Sequence, residues 1–376
     1  MRRPLFTGDQ RETVIRTVHG LVAVVETIES REAADHADRA VLRAHLAHGE
    51  IVPDPDDTAG AALSDAVATL TTSRQMLGLF GGTAGIGWAV AQLADGDVAQ
   101  LVCARIDAAL EQAVDRDTWP YDLIAGITGF GVYALARGAA GQHLATRVVR
   151  ALARRARPRP VGIAWHTAPT TLPASQREQA PLGYWNLGVA HGTPGVIAFL
   201  RAVGSDIAGA RYGAWICGPA DGTETHATPS PALAWCYHDL GIALALLSAA
   251  NVTGSSPWRD DALALARDCA RRPSAEARIH GSSLCHGAAG AAHMFLRLHH
   301  ATGEEVFADS AQRWFERALD MDPPLAEAAS AEEAALKRLD PSLLSGAAGV
   351  ALALHAAITD VEPTWDGRLL LDLAGA

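Results

Sequence analysis

No apolar run in this 376-residue chain approaches the roughly 18–20 residues that a membrane-spanning helix needs. The opening stretch, MRRPLFTGDQRETV, carries two arginines but no apolar segment of signal-peptide length. The expectation is a cytoplasmic protein that is not an integral membrane protein. Positive charge is also short. The 31 Lys and Arg face 42 Asp and Glu, a net charge of −11, so the basic footprint of a nucleic-acid binder is missing. Such an acidic body favours a basic peptide partner, if charge is taken alone. Cysteines number five, an odd count in a long chain, which argues against a disulfide scaffold and suits reduced thiols. Alternating β-branched runs are scarce, which excludes an extensive sheet. Disorder is excluded too, with 49% hydrophobic and 19% charged residues.

What the chain does have is a repeated glycine motif. Gly82-Thr-Ala-Gly85, Gly126-Ile-Thr-Gly129 and Gly192-Thr-Pro-Gly195 are followed by Gly287-Ala-Ala-Gly290 and Gly346-Ala-Ala-Gly349. Between the third and fourth of these, His238-Asp-Leu-Gly241 keeps only the final glycine. Recurrence at this interval marks a repeat architecture. An apolar helical stretch follows each motif, for example 86–93, 242–247 and 350–354. These read as buried helices, apolar on most sides. The segments between them, 11–29, 94–114, 140–155, 256–271 and 302–319, are amphipathic and read as solvent-facing helices.

One repeat is therefore one inner and one outer helix. An open solenoid is possible, but such apolar inner helices fit a closed double ring better. The expectation is an all-α chain, an α/α toroid of about seven inner and seven outer helices. The seventh inner helix would lack the glycine signature. The chain reads as one domain over 1–376, with long connections at 156–184 and 201–231 that suit functional loops. The glycines permit close backbone approach where each inner helix begins, so the motif loops would ring one mouth. The alternative is that GxxG serves helix packing alone.

Cys236 lies just before the fourth inner helix, and Cys285-His286 just before the fifth. Two thiolates and an imidazole are a typical three-ligand set for a Zn²⁺ that keeps its fourth position open. Helix N-termini favour the thiolate form, so ionisation and metal binding reinforce each other. Against this stands the reading of Cys236 and Cys285 as small buried hydrophobes. Cys103 and Cys269 sit in helical patterns and read as core, and Cys217 lies in a loop. Asp122 precedes Gly126 by four residues and His191 immediately precedes Gly192, the same station in the repeat. A histidine exchanging protons, oriented by a carboxylate, fits that pair. A helix N-cap and a loop histidine fit it as well. The other histidines read as surface or core. Among them, His293 lies about two turns beyond His286 and has a place behind the metal as its alternative.

The blocks GLFGGTAGIG, DLIAGITGFG, NLGVAHGTPG, AWCY, SLCHGAAG and SLLSGAAG, with the closing Trp365-Asp366-Gly-Arg-Leu-Leu-Leu, resemble the cyclases of the LanC-like lanthipeptide (lantibiotic) synthetase family. The likeness covers roughly residues 75–370. It implies the α/α toroid and the zinc ligands Cys236, Cys285 and His286. It implies that Asp122 and His191 match the family's acid–base pair, and that Tyr237 lies near the site. It also implies a reaction. A peptide cysteine thiol adds to dehydroalanine or dehydrobutyrine, closing a lanthionine or methyllanthionine ring. The implied partners are a dehydrated precursor peptide with its leader, a lanthipeptide dehydratase and a transporter. Membrane association would come only through such a complex, and the length suits a stand-alone cyclase.

Two departures stand out. Ala232 occupies a position where the family often has arginine, which touches a contact to enolate or substrate. The run Cys236-Tyr237-His238-Asp239-Leu240-Gly241 replaces the family's usual sequence after the cysteine, and His238 could supply a proton-handling group there. Two other classes compete with the cyclase. One is a non-catalytic LanC-like protein that binds a thiol such as glutathione or scaffolds a modification complex. The other is a toroid enzyme of the prenyltransferase β-subunit kind, which lacks these blocks.

Overall fold

The structure is a computed structural model. It describes all residues except 1–2, 29–31, 73–75, 117–118, 160–161, 173, 205–231, 322–339 and 374–376. Cys217 and residues 205–231 of the second long connection lie outside the described residues.

The glycine motifs mark helix starts, as the repeat predicts. Helices α4 (Thr83–Leu93), α6 (Ile127–Ala136), α9 (Thr193–Val203), α12 (Ala288–Thr302) and α14 (Ala347–Ile358) each begin one residue after a motif's first glycine. Helix α10 (Asp239–Thr253) begins after His238 instead. Every residue of Thr193–Leu200 in α9 and of Ala347–Ile358 in α14 is buried, the mark of a helix apolar all round. The outer helices are α1 (Gly8–Thr27), α5 (Gly96–Val114), α7 (Gln142–Arg155), α11 (Ser256–Arg271) and α13 (Glu305–Met321). They bury one stripe each. On α13 it is Phe307, Ser310, Ala311, Trp314, Phe315 and Ala318, at the 3–4 residue spacing of one helix face. Each large apolar side chain in such a stripe contributes about 1.5–3 kcal/mol of burial.

Helix α2 (Ala33–His48) has the burial of an inner helix with no glycine motif before it, and packs on α3 (Thr58–Thr72) and α14. Among the described residues, strands are confined to 157–185, in and just beyond the connection at 156–184. There β1 (Arg157–Arg159) pairs antiparallel with β2 (Gly162–Ala164), and β3 (His166–Thr167) pairs with β4 (Tyr184–Trp185). A short helix α8 (Ala174–Gln179) lies between the two members of the second pair. This connection is more ordered than its composition predicts, because two- and three-residue strands are too short to show a period.

The residues gather into two compact units, each assembled from separated stretches. The first comprises 1–75, 232–235 and 267–366, and the second 76–231, 236–266 and 367–376. In the first, α1 packs on α14, α12 on α13, and α14 on α2 and α12. In the second, α4 packs on α5 and α6, α6 on α7 and α9, and α9 on α10.

Candidate functional site

The motif loops share one construction. The first helical amide donates to the carbonyl seven residues upstream: Thr83 to Met76, Ile127 to Pro120, Thr193 to Asn186, Ala288 to Gly281 and Ala347 to Asp340, all at 2.8–3.0 Å. This folds the chain tightly back on itself. In the third loop a Cβ on Gly192 would run into the Asn186 carbonyl, and one on Gly195 into the Val189 carbonyl. Gly192 has extended backbone, φ −128°, so close approach rather than conformation demands glycine. His238 takes that N-cap station in the fourth loop, half-buried, with nearly the same φ of −127°.

Neighbouring loops are stitched by backbone hydrogen bonds in a repeating register. In the second unit, Leu79 N donates to Ile124 O (2.9 Å), Leu123 N to Ala190 O (3.0 Å) and Ala190 N to Cys236 O (3.1 Å). In the first unit, Trp235 N donates to Cys285 O (3.1 Å) and Cys285 N to Leu344 O (3.0 Å). Leu343 N then finds the buried Asp38 carboxylate of α2 (2.8 Å), so a side chain replaces the loop that α2 lacks. The accepting carbonyl always lies two residues before the inner-helix cap. Cys236 and Cys285 both occupy that station, and His191, Tyr237 and His286 the next one.

This register brings chemistry-bearing side chains together. The ligand atoms of Cys236, Cys285 and His286 lie within 4.8 Å of one another. Cys236 is buried, Cys285 half-buried and His286 exposed, so the group is open on the histidine side. Three such atoms can share one metal ion, and two thiolates with an imidazole are soft donors suited to a transition-metal ion.

Beside Cys236, His191 Nδ1 and Asp122 Oδ2 are 2.8 Å apart. The other carboxylate oxygen, Oδ1, accepts the backbone amides of Ala125 (2.9 Å) and Gly126 (2.8 Å). Asp122 therefore orders its own loop and holds the imidazole at once, while the N-cap of α6 is Gly126 rather than Asp122. The side chain of His191 is 35% exposed and that of Asp122 14%. The imidazole lies against the Tyr237 ring, centroids 5.6 Å apart and planes 27° apart. Burial pushes the Tyr237 phenol well above its usual range, with Tyr184 adding to the effect, so near neutrality Tyr237 is a neutral O–H group.

Asn186 ties these parts together, and its role is not evident from the sequence. It is fully buried. Its Nδ2 donates to the Tyr184 hydroxyl (3.3 Å), its Oδ1 accepts Gly188 N (2.8 Å), and its side chain hydrogen-bonds Tyr237. An asparagine five residues before a candidate catalytic histidine is the only signal in the sequence. Tyr121, next to Asp122, is likewise held, its hydroxyl donating to Trp165 O (3.0 Å). Ala232, Cys103 and Cys269 are buried and small. His293 belongs to a buried network of its own, with Asp366 as partner at 2.8 Å.

The family model described as lanthionine synthetase C-like protein matches residues 40–370. Among curated proteins, none matches the sequence. The solved structure of a nisin cyclase superposes with a TM-score of 0.69 at 17% identity, covering 89% of this chain and 90% of its own. The fold is the α/α toroid. No described helix is long and apolar enough to cross a membrane.

Proposed function

We propose a peptide-cyclising activity from this premise: the chain belongs to the lanthionine synthetase C-like family. The activity is zinc-dependent addition of a peptide cysteine thiol to dehydroalanine or dehydrobutyrine, giving a thioether ring. The observation that carries it is the adjacency of two constellations. The Cys236–Cys285–His286 group and the His191–Asp122 pair are linked through the Ala190–Cys236 hydrogen bond and the Tyr237 ring.

Zinc held by Cys236, Cys285 and His286 would supply the Lewis acidity that keeps a thiol ionised at neutral pH. The remaining work falls to side chains of this chain. The substrate sulfur forms its bond to the β-carbon, and the π electrons of the dehydro residue move to the carbonyl as an enolate. His191 returns a proton to the α-carbon through Nε2, because Nδ1 is engaged by Asp122. Asp122 fixes the imidazole plane and stabilises the imidazolium before transfer. The proton shed by the thiol re-enters through solvent, so the addition is balanced without a redox partner. Tyr237 packs the imidazole and shields it from water on one face. At position 232 an alanine provides no cation, and His238 at the α10 cap serves as the substitute proton-handling group.

The substrate is a dehydrated precursor peptide with its leader, and a dehydratase is the enzyme that must act before it. A transporter and a cytoplasmic complex complete the reading. The test incubates zinc-loaded protein with a peptide bearing dehydroalanine and cysteine, then alkylates free thiols and weighs the product. Loss of alkylation supports the cyclase. Persistent free thiols on zinc-loaded protein would make the chain a thiol-binding or scaffold protein instead.

A further inference from the structure

The chain is acidic as a whole, yet residues 123–177 contain eight arginines and no Asp or Glu. This stretch runs through α6, α7 and the β1–β2 hairpin, all in the second unit. Several of its arginines are engaged by neighbours. Arg137 pairs with Asp107, Arg147 with Glu111 and Asp115, and Arg154 with Asp115. Arg177 caps the carbonyls of Pro169 and Leu172. Arg150 and Arg157 are different. Both are exposed, and neither pairs with a carboxylate among the described residues.

Arg150 also lines a shallow cleft of about 440 Å³ with Gln142, His143, Thr146, Arg147 and two alanines. Each polar side chain in that lining can donate a hydrogen bond. Two carboxylates border it: Glu111 lies beside Arg147 and His143, and Asp115 also pairs with Arg147, which leaves Arg150 as the lining guanidinium with no carboxylate partner among the described residues. Arg150 is thus the cation in the cleft that an incoming anion would meet.

The strip leads toward the His191–Asp122 pair. Its far end, at the close of α7, is pinned by Trp165, whose indole N–H donates to Leu152 O (2.9 Å). The carbonyl of Trp165 accepts the hydroxyl of Tyr121, the residue before Asp122. On the hairpin, the Arg159 guanidinium lies 4.5 Å over the Trp185 ring, one residue from Asn186. The 14 residues of α7 span about 21 Å. An extended peptide crosses that distance in roughly six residues.

We propose that the exposed face of α7, from this cleft to Arg157, docks an acidic segment of the peptide substrate. The reacting residues of that peptide would follow at a separation of at least about six residues. The identity of the occupant as a peptide rests on the cyclase reading. Its charge rests on the strip alone. A long polyanion such as nucleic acid would meet the repulsion of a body at −11. A few carboxylates seated within a Debye length of about 8–10 Å would feel mainly the local arginines.

The test uses the full-length protein and a fluorescein-labelled peptide of alternating Glu and Gly, with a Gln–Gly peptide as control. Anisotropy should show binding of the Glu peptide alone, weakening as salt rises. The double variant Arg150→Glu/Arg157→Glu should bind about tenfold or more weakly. Arg150→Gln/Arg157→Gln should fall between the two and guards against a folding defect. Equal binding by wild type and both variants overturns the proposal, as does equal binding of both peptides. Capture of phosphatidylglycerol vesicles by wild type but not by the variants, without Glu-peptide binding, overturns it in favour of a membrane surface. Because no chemistry is read, failure of ring closure would leave this result standing, and failure of binding would leave the cyclase standing.

Discussion

Two histidine–carboxylate pairs in this molecule have the same length and different surroundings. His191 and Asp122 meet at 2.8 Å with side chains 35% and 14% exposed. His293 and Asp366 also meet at 2.8 Å, at 0% and 1%. Around Asp366 the bonds are saturated by protein. Arg297 Nε reaches the same carboxylate oxygen (3.1 Å) while its other end pairs with Glu362, and Trp365 packs its ring 4.6 Å from the imidazole. Around His191 one ring nitrogen is held and the other has no partner among the described residues. Distance alone therefore says nothing of role. A proton carrier needs access to solvent, and of these two pairs the first is the one that is exposed.

Substitution should separate the two pairs. The largest effect is expected from His191→Ala, which removes a part-exposed proton donor outside the core. Cyclisation should fall by about 10²–10⁴-fold, the usual worth of a general acid–base group, with the melting temperature nearly unchanged. Asp122→Asn should lower activity less, since the amide can still take the loop hydrogen bonds through its oxygen. Wild-type turnover by His191→Ala would remove this residue from the reaction and reduce both pairs to structure.

The converse is His293→Ala. It deletes a fully buried ring that packs on Trp365, so a cavity and a lost hydrogen bond act together. Unfolding free energy should drop by about 3 kcal/mol, measured by denaturant titration. Surviving folded protein should keep its zinc content and its rate. A variant of normal stability with impaired ring closure would place His293 in the chemistry and dissolve the distinction.

The sequence made some of these parts plain and left others dark, for identifiable reasons. The inner helices α4, α6, α9, α12 and α14 announce themselves because each loop needs two glycines to pass a carbonyl at close range. Helices α2 and α3 carry no such loop. In α2 the apolar pattern is broken by Asp38 and Arg43, which are buried only because distant groups satisfy them. Leu343 N bonds Asp38, while Arg43 pairs with Asp54 (3.0 Å) and bonds Thr58 Oγ1 (2.8 Å). The Cys-His residues stand out by type, whereas Asn186 does not, since its importance lies in three partners brought close by folding. The sequence resemblance supplied roles for single residues. The loop register explains how residues so far apart in the chain share one station.

A third kind of buried histidine sharpens the contrast through pH. His355 on α14 is 2% exposed and its Nε2 has no partner among the described residues. Burial pushes its pKa down to about 4, with His45 and His48 adding to the effect. The folded value thus lies below the unfolded one near 6.5, so the fold holds this ring neutral. Its contribution is complete above pH 6.5 and is lost as pH falls from 6.5 toward 4. His300 is pushed down to about 4 in the same direction, again chiefly by burial. Between pH 7.5 and 5 each should remove about 2 kcal/mol from wild-type stability. His355→Leu cannot take up the proton, so its stability should fall by about half as much over that interval. Denaturant curves at the two pH values read the difference directly. Parallel loss in wild type and variant would mean that the ring takes up its proton in the folded protein as readily as in the unfolded chain, so that burial does not hold it neutral.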